Sequence, residues 1–334
     1  MTAPEAGGRP RFSVVVPVYN KAPFLREVIG SLAAAIRAYG DGELIAVDHE
    51  STDGSSEILA SVVPGPNIVL RAARGTIAAA RNQGAALAGG SHLCFVDADC
   101  VVPVEYLSRV AEVLGTVSAE AVGCRVRLPA EVSWVAEVWD RIHALGGDGY
   151  RLWLSAASIT VERRAFECVG GFNEAMETQE DVELCSHLRH AGFRIWESHQ
   201  LAATHLDNPE TLRSFLRKEA WRARGAFGRN VAGSPDRPTL AMYLHLALVG
   251  VAVALMLALS VPMAVRCLAA LALAFSVPIG SVAFRAWRNR QLYRPFAALV
   301  LYQAYYLARL AAFVRSLAGR DWPRFGPREK QWTG

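Results

Sequence analysis

Charge is scarce in this chain, and acid is scarcest where the chain is most apolar. Only 20% of its 334 residues are charged and 52% are hydrophobic, an apolar balance for a soluble enzyme. Residues 239–334 hold 11 Lys+Arg against 2 Asp+Glu, whereas residues 1–238 hold 24 against 29. An acidic body with a basic, apolar tail argues against a nucleic-acid binder and for a cytosolic domain on a membrane-seated end. Also missing is any CxxC pair or tight Cys/His cluster among the six cysteines, which argues against structural zinc. Free thiols in a reducing compartment are expected. The opening MTAPEAGGRPR is polar and shows no signal peptide. Residues 1–10 are therefore expected to be flexible, and the first domain to stay in the cytoplasm.

What the chain does contain begins with alternation. RFSVVVPVYN is a β-branched run closed by Pro17 and Asn20, a buried strand and its turn. PFLREVIGSLAAAIRAYG follows at helical period, with Gly40 near its end. ELIAVD, NIVLRA and HLCFVDAD read as further strands, with helices GSSEILASVV and TIAAARNQGAALAGG between them. Asp53 is placed to cap the first of these two helices. Four such alternations predict a largely parallel sheet covered by helices, with ligands at the carboxyl ends of its strands. Asp48, Asp97 and Asp99 all fall at such ends. From about 116 to 208 the pattern loosens. AEAVGCRVRL and LWLSAASITV look like strands, WVAEVWDRIHAL and QEDVELCSHLRHAG like helices, the latter stopped by Gly192. Residues 210–226 form another, arginine-rich helix.

Two acid pairs carry the chemistry. Asp97-Ala98-Asp99 ends a buried strand, where two carboxylates one residue apart can share a hard divalent cation and so neutralise a diphosphate. Glu180 and Asp181 open a helix. Acids there complement the helix dipole; a catalytic reading needs one of them to take a proton from an acceptor hydroxyl.

In order, SVVVPVYN, VD..STDGS, ARNQGAALAGGSHLCFVDAD and VGGFNE....EDVELCSHLRHAGF resemble the successive motifs of family 2 glycosyltransferases. The resemblance covers about residues 11–228. It implies a GT-A fold, a Rossmann-like α/β/α sandwich with a mostly parallel central sheet, over residues 11–238. It implies a nucleotide-diphosphate sugar as donor, with Pro17, Tyr19, Asp48, His49, Arg81, Asp97 and Ala98 at nucleotide-sugar positions. It implies Mn²⁺ or Mg²⁺ on Asp97 and Asp99, with His205 either a third ligand or an ordinary histidine. Asp181 would be the general base, beside Glu180, in a single inverting displacement. An inactive sugar-nucleotide-binding protein of the same fold is the reading from another class; loss of these acids would favour it, and they are present.

Some positions depart from the family pattern. Ala156-Ala157-Ser158 stands where many relatives have Gly-Ala-Asn, and His187-Leu188 where they have Arg-Leu. Ala220 precedes Trp221, so the Arg-Trp motif of processive synthases is absent and transfer of one or few sugars is expected. VDHESTDGS carries His49-Glu50 where the family usually has Asp-Gly. This points to altered base recognition, and a glutamate in place of glycine to an ordinary backbone at residue 50.

The tail, residues 239–334, reads as a membrane region. Leu246–Val265 and Cys267–Phe284 are uncharged runs separated by Arg266, each long enough to cross a bilayer core of about 30 Å. RAWRNRQLYR then carries arginines and no acid, as a cytoplasmic loop does. Residues 295–317 contain Arg309 and Arg315 and suit either an interfacial helix or a third span; a basic tail follows. The expected location is the cytoplasmic membrane, multi-pass, in contact with membrane lipid. The expected acceptor is lipid-linked or a glycan, a polyprenyl phosphate being an alternative.

Overall fold

The computed structural model describes residues 11–62, 68–71, 75–144, 147–226, 237–257 and 262–317. The expected flexible N-terminus and basic tail lie outside the described residues. The first half alternates strand and helix: β1 (Phe12–Val18), α1 (Ala22–Tyr39), β2 (Gly42–Asp48), α2 (Ser55–Val62), β3 (Ile68–Arg71), α3 (Ile77–Leu87), β4 (His92–Val96), β5 (Cys100–Val101), α4 (Tyr106–Thr116) and β6 (Ala121–Gly123). Then come α5 (Trp134–His143), β7 (Gly149–Tyr150), β8 (Ser158–Glu162), α6 (Arg163–Cys168), α7 (Glu180–His190), β9 (Ile195–Glu197), β10 (Thr204–His205) and α8 (Leu212–Arg222). Three long helices follow, α9 (Arg237–Leu257), α10 (Met263–Asn289) and α11 (Pro295–Leu317).

The chain divides into two compact units, one of Met1–Ala130 with Gly147–Asp207, the other of Glu131–Gly146 with Asn208–Gly334. The division falls at 208 rather than 238, and it assigns α5 to the second unit.

In the first unit an eight-stranded sheet runs β3-β2-β1-β4-β8-β6-β9-β7. The β3-β2-β1-β4 half is parallel, while β8 is antiparallel to both β4 and β6. Every residue of β1 is buried, as a central strand with both faces covered requires. Alternate side chains enter different cores. Val14, Val16 and Val18 pack with Leu25, Val28 and Leu32 of α1. Val15 packs with Ala78 and Ala80 of α3 and Leu184 of α7. Helices thus cover both faces of the sheet. The α3 layer sits close: a Cβ on Gly84 would lie 2.4 Å from Val15 Cγ1. The strands expected at AEAVGCRVRL and LWLSAASITV are shorter, only Ala121–Gly123 and Ser158–Glu162. The reason is local. Beyond Gly123 the chain leaves the sheet, and Arg127 pairs instead with Thr204.

In the second unit α5 and α8 pack on α11 through Val135, Val138, Phe215, Leu301 and Tyr302. The three last helices are each long and apolar enough to cross a membrane. Arg266 does not separate the first two: α10 already begins at Met263 after Pro262, and Arg266 donates to the Met256 carbonyl at 2.8 Å. Arg309, a charge inside α11, is buried and donates to Tyr305 and Thr239.

Candidate active site

The carboxyl ends of β1 and β2 are clasped together. Asn20 Oδ1 accepts the Thr52 N–H at 2.8 Å, and Ser51 Oγ accepts the Asn20 N–H at 3.0 Å. Asp53 does more than cap its own turn: one oxygen accepts from Ser55, the other from the Ala22 N–H that opens α1, at 3.0 Å. Pro17 is buried inside β1, and Tyr19 is partly buried just beyond its end. Asp48 is 1% exposed; its carboxylate accepts the Ser51 N–H and the Ser56 hydroxyl. His49 is 2% exposed, with the Gln83 side chain as its polar neighbour. Burial holds its pKa below the ordinary histidine value against the pull of Asp48, Gln83 and Glu50. Glu50 corrects an expectation: its φ is +54°, so the left-handed turn usual for glycine is kept although glycine is not.

The second group lies where β4 ends and α7 begins. Arg81, on α3, is 2% exposed and bridges two acids: Nη2 meets Asp97 at 2.7 Å and Nη1 meets Glu180 at 2.6 Å. Its guanidinium also lies 5.3 Å from the Phe172 ring centre. Burial opposes the charge, but the two carboxylates more than restore it, so Arg81 stays cationic. The following Asn82 donates to the Phe172 carbonyl at 2.8 Å and accepts the Phe172 N–H at 3.0 Å. Gly171 has φ +74°, and a Cβ there would lie 2.8 Å from Asn82 Oδ1. The ARN and GGF stretches therefore fasten to one another, which sets the start of α7. Gln179, at φ +68°, delivers Glu180 and Asp181 from a strained turn. Glu180 is spent on Arg81. Asp181 accepts the Ala156 N–H at 3.2 Å and the Val182 N–H at 2.8 Å. Burial and the neighbouring Glu180 charge push its pKa up to about 6.

The third group is built by a two-stranded ribbon. β5 pairs antiparallel with β10, placing Cys100 opposite His205, and Asp99 O accepts the Leu206 N–H at 2.8 Å. His205 Nε2 thus comes within 3.5 Å of Asp99 Oδ1 although the two are far apart in sequence. Asp99 Oδ2 meets the Lys21 ammonium at 2.9 Å, and Lys21 also meets Asp207 at 2.7 Å. Burial would lower the Lys21 pKa; its two acids raise it well beyond the ordinary lysine value. Ligand atoms of Asp99, Cys100 and His205 all lie within 4.8 Å of one another. The carboxylate suits Mn²⁺ or Mg²⁺, and the imidazole, a softer nitrogen donor, favours Mn²⁺ of the two. Burial and the Asp97 and Asp99 charges keep the Cys100 thiol protonated, so the fitting donors are oxygen and nitrogen. Asp97 looks to Arg81 and Asp99 to Lys21 and His205, with buried Ala98 between them. Sequence reasoning missed Lys21 and Asp207, because only the fold brings them to Asp99.

Residues 13–144 match the family model described as Glycosyl transferase family 2. That match runs from β1 through α5, and so takes in Arg81 and the DAD stretch but not Glu180, Asp181 or His205. The chain is 27% identical over 317 residues to the succinoglycan biosynthesis protein ExoA of Rhizobium meliloti, covering 91% of this chain and 94% of that protein. It is 25% identical over 269 residues to the uncharacterized protein y4gI of Sinorhizobium fredii, covering 70% of this chain but only 30% of that protein. Among solved structures it resembles the mannosyltransferase PcManGT from Pyrobaculum calidifontis in complex with GDP-Man and Mn²⁺, with a TM-score of 0.60 at 20% identity, over 96% of this chain and 90% of that one. That likeness shows the GT-A fold.

Proposed function

We propose that the protein is an inverting, divalent-cation-dependent glycosyltransferase. It moves a sugar from a nucleotide-diphosphate sugar to a lipid-linked or glycan acceptor at the cytoplasmic face of a membrane. The observation that carries this is Asp181: a carboxylate at the start of α7 with its pKa pushed up to about 6. It is oriented by two backbone N–H groups and flanked by the Arg81 bridge. Such a group is ionised at neutral pH yet basic enough to accept a proton.

In the reaction the acceptor hydroxyl attacks the anomeric carbon as the bond to the diphosphate oxygen breaks, and the hydroxyl proton goes to Asp181. One displacement inverts the configuration and needs no protein nucleophile. Glu180 holds Arg81, and Arg81 holds Asp97, so the residue next to the base is tied to the DAD stretch by one ion-pair bridge. Asp99 and His205, and Asp97 of the same stretch, would hold a divalent cation, which would supply charge neutralisation for the leaving diphosphate. Pro17, Tyr19, Asp48 and His49, at the ends of β1 and β2, are proposed for the nucleoside end. The three apolar helices support a membrane location and an acceptor presented there. Alignment with ExoA along nearly the whole chain supports a role in cell-surface glycan synthesis.

A binding panel of UDP, GDP, dTDP and CDP, each with and without Mn²⁺ or Mg²⁺, tests the donor reading. Selective, metal-enhanced binding of one nucleotide is expected. Failure of all four to bind with either metal would overturn the proposal.

A further inference from the structure

Lys21 sits at the proposed cation site and is not part of the sequence pattern that marks that site. Its backbone is fixed. Lys21 is the residue at the start of α1, its carbonyl accepts the Phe24 and Leu25 N–H groups, and its own N–H donates to Ser55 Oγ at 2.9 Å. From this anchor the ammonium reaches between two carboxylates, Asp99 at 2.9 Å and Asp207 at 2.7 Å. Asp99 therefore has two sides. Its Oδ1 faces His205 and its Oδ2 faces Lys21.

We propose that Lys21 is a resident cation that competes with the divalent ion for Asp99, so that metal binding is weak until the donor diphosphate arrives. This inference rests on the proposed cation site at Asp99 and His205. The physical reason is charge. A +1 group in contact with Asp99 both satisfies one carboxylate oxygen and repels a second cation a few ångströms away, in a site with little water to screen it. Asp207 gives the ammonium an alternative partner when a metal takes Asp99. A nucleotide diphosphate offers another, more highly charged one. Each anion that draws Lys21 away from Asp99 raises the affinity of Asp99 for metal, and by reciprocity metal favours the diphosphate.

Lys21 and Asp207 make opposite predictions. Lys21→Met removes the competitor, so metal binding in the absence of nucleotide should tighten. Asp207→Asn leaves Lys21 with Asp99 alone, so metal binding should weaken. Lys21→Arg retains the charge and should stay near wild type. The test titrates Mn²⁺ alone into the full-length protein in detergent, reading free Mn²⁺ by electron paramagnetic resonance, with no donor and no turnover. Lys21→Met should bind Mn²⁺ about tenfold more tightly than wild type, a size ordinary for coupling between neighbouring charges. A gain in affinity does not arise from misfolding. Equal or weaker binding by Lys21→Met overturns the inference while leaving the metal site standing. Absence of Mn²⁺ binding in both proteins overturns the metal site, and the inference with it.

Discussion

Replacing Asp181 with asparagine should make the protein more stable and far less active. The carboxyl pKa rises from 3.8 to about 6 on folding, so the folded state holds its ionised form at a disadvantage of about 3 kcal/mol at most. A group with a raised folded pKa contributes stability that is fully present below its unfolded pKa and lost as pH rises through the folded one. The loss here develops between about pH 4 and pH 6 and is complete by pH 7. Asparagine has no charge to desolvate and can still accept one of the two backbone N–H bonds. Thermal unfolding of wild type and Asp181→Asn should therefore differ by about 5 °C or more at pH 8, for a unit of this size. The gap should shrink to about half near pH 5 and close below pH 4. Transfer activity should fall by about a hundredfold or more with loss of the base. A mutant that is less stable than wild type at pH 8, or a gap that does not change with pH, would refute the reasoning about Asp181.

Three further outcomes are expected. Glu180→Gln removes a charge that raises the Asp181 pKa, so the acid limb of the kcat/KM profile should move to lower pH; a shift upward would contradict the assigned electrostatics. His49→Asp puts a carboxylate in place of a buried imidazole beside Asp48 and Gln83 and should change nucleotide preference in the binding panel; an unchanged preference would remove His49 from base recognition. Gly84→Ala drives a Cβ against Val15 and should destabilise the first unit by about 1–3 kcal/mol in denaturant titrations, with no change meaning that α3 moves freely over β1.

The parallel half of the fold was legible because β1, β2 and β4 are continuous apolar runs ending in turn residues and acids. The far half was legible only in part: β6 and β8 fall at expected strands, whereas β7 and β9 are two and three residues long and their pairing is decided by partners distant in sequence. The helices of the tail were visible by hydropathy, but their ends were not. Pro262 sets the start of α10, whereas the uncharged runs pointed to Arg266. In the site, the two acid pairs marked Asp97, Asp99 and Asp181 as candidates and the family resemblance added Arg81, but neither showed their partners. That Glu180 is committed to Arg81, and that Lys21 shares Asp99, depends on tertiary placement. Glu50 shows the converse error. Side-chain identity argued for an ordinary backbone, yet the interlocked loops after β1 and β2 hold it at φ +54°, and the surrounding hydrogen bonds overrule local preference.

The most direct test compares sugar-nucleotide hydrolysis, with Mn²⁺ or Mg²⁺, by wild type, Asp99→Ala and Asp181→Asn. The account predicts metal-dependent release of sugar by wild type, with inverted anomeric configuration. It predicts a loss of at least about a hundredfold in each variant. If all three proteins behave alike, the catalytic assignment is contradicted.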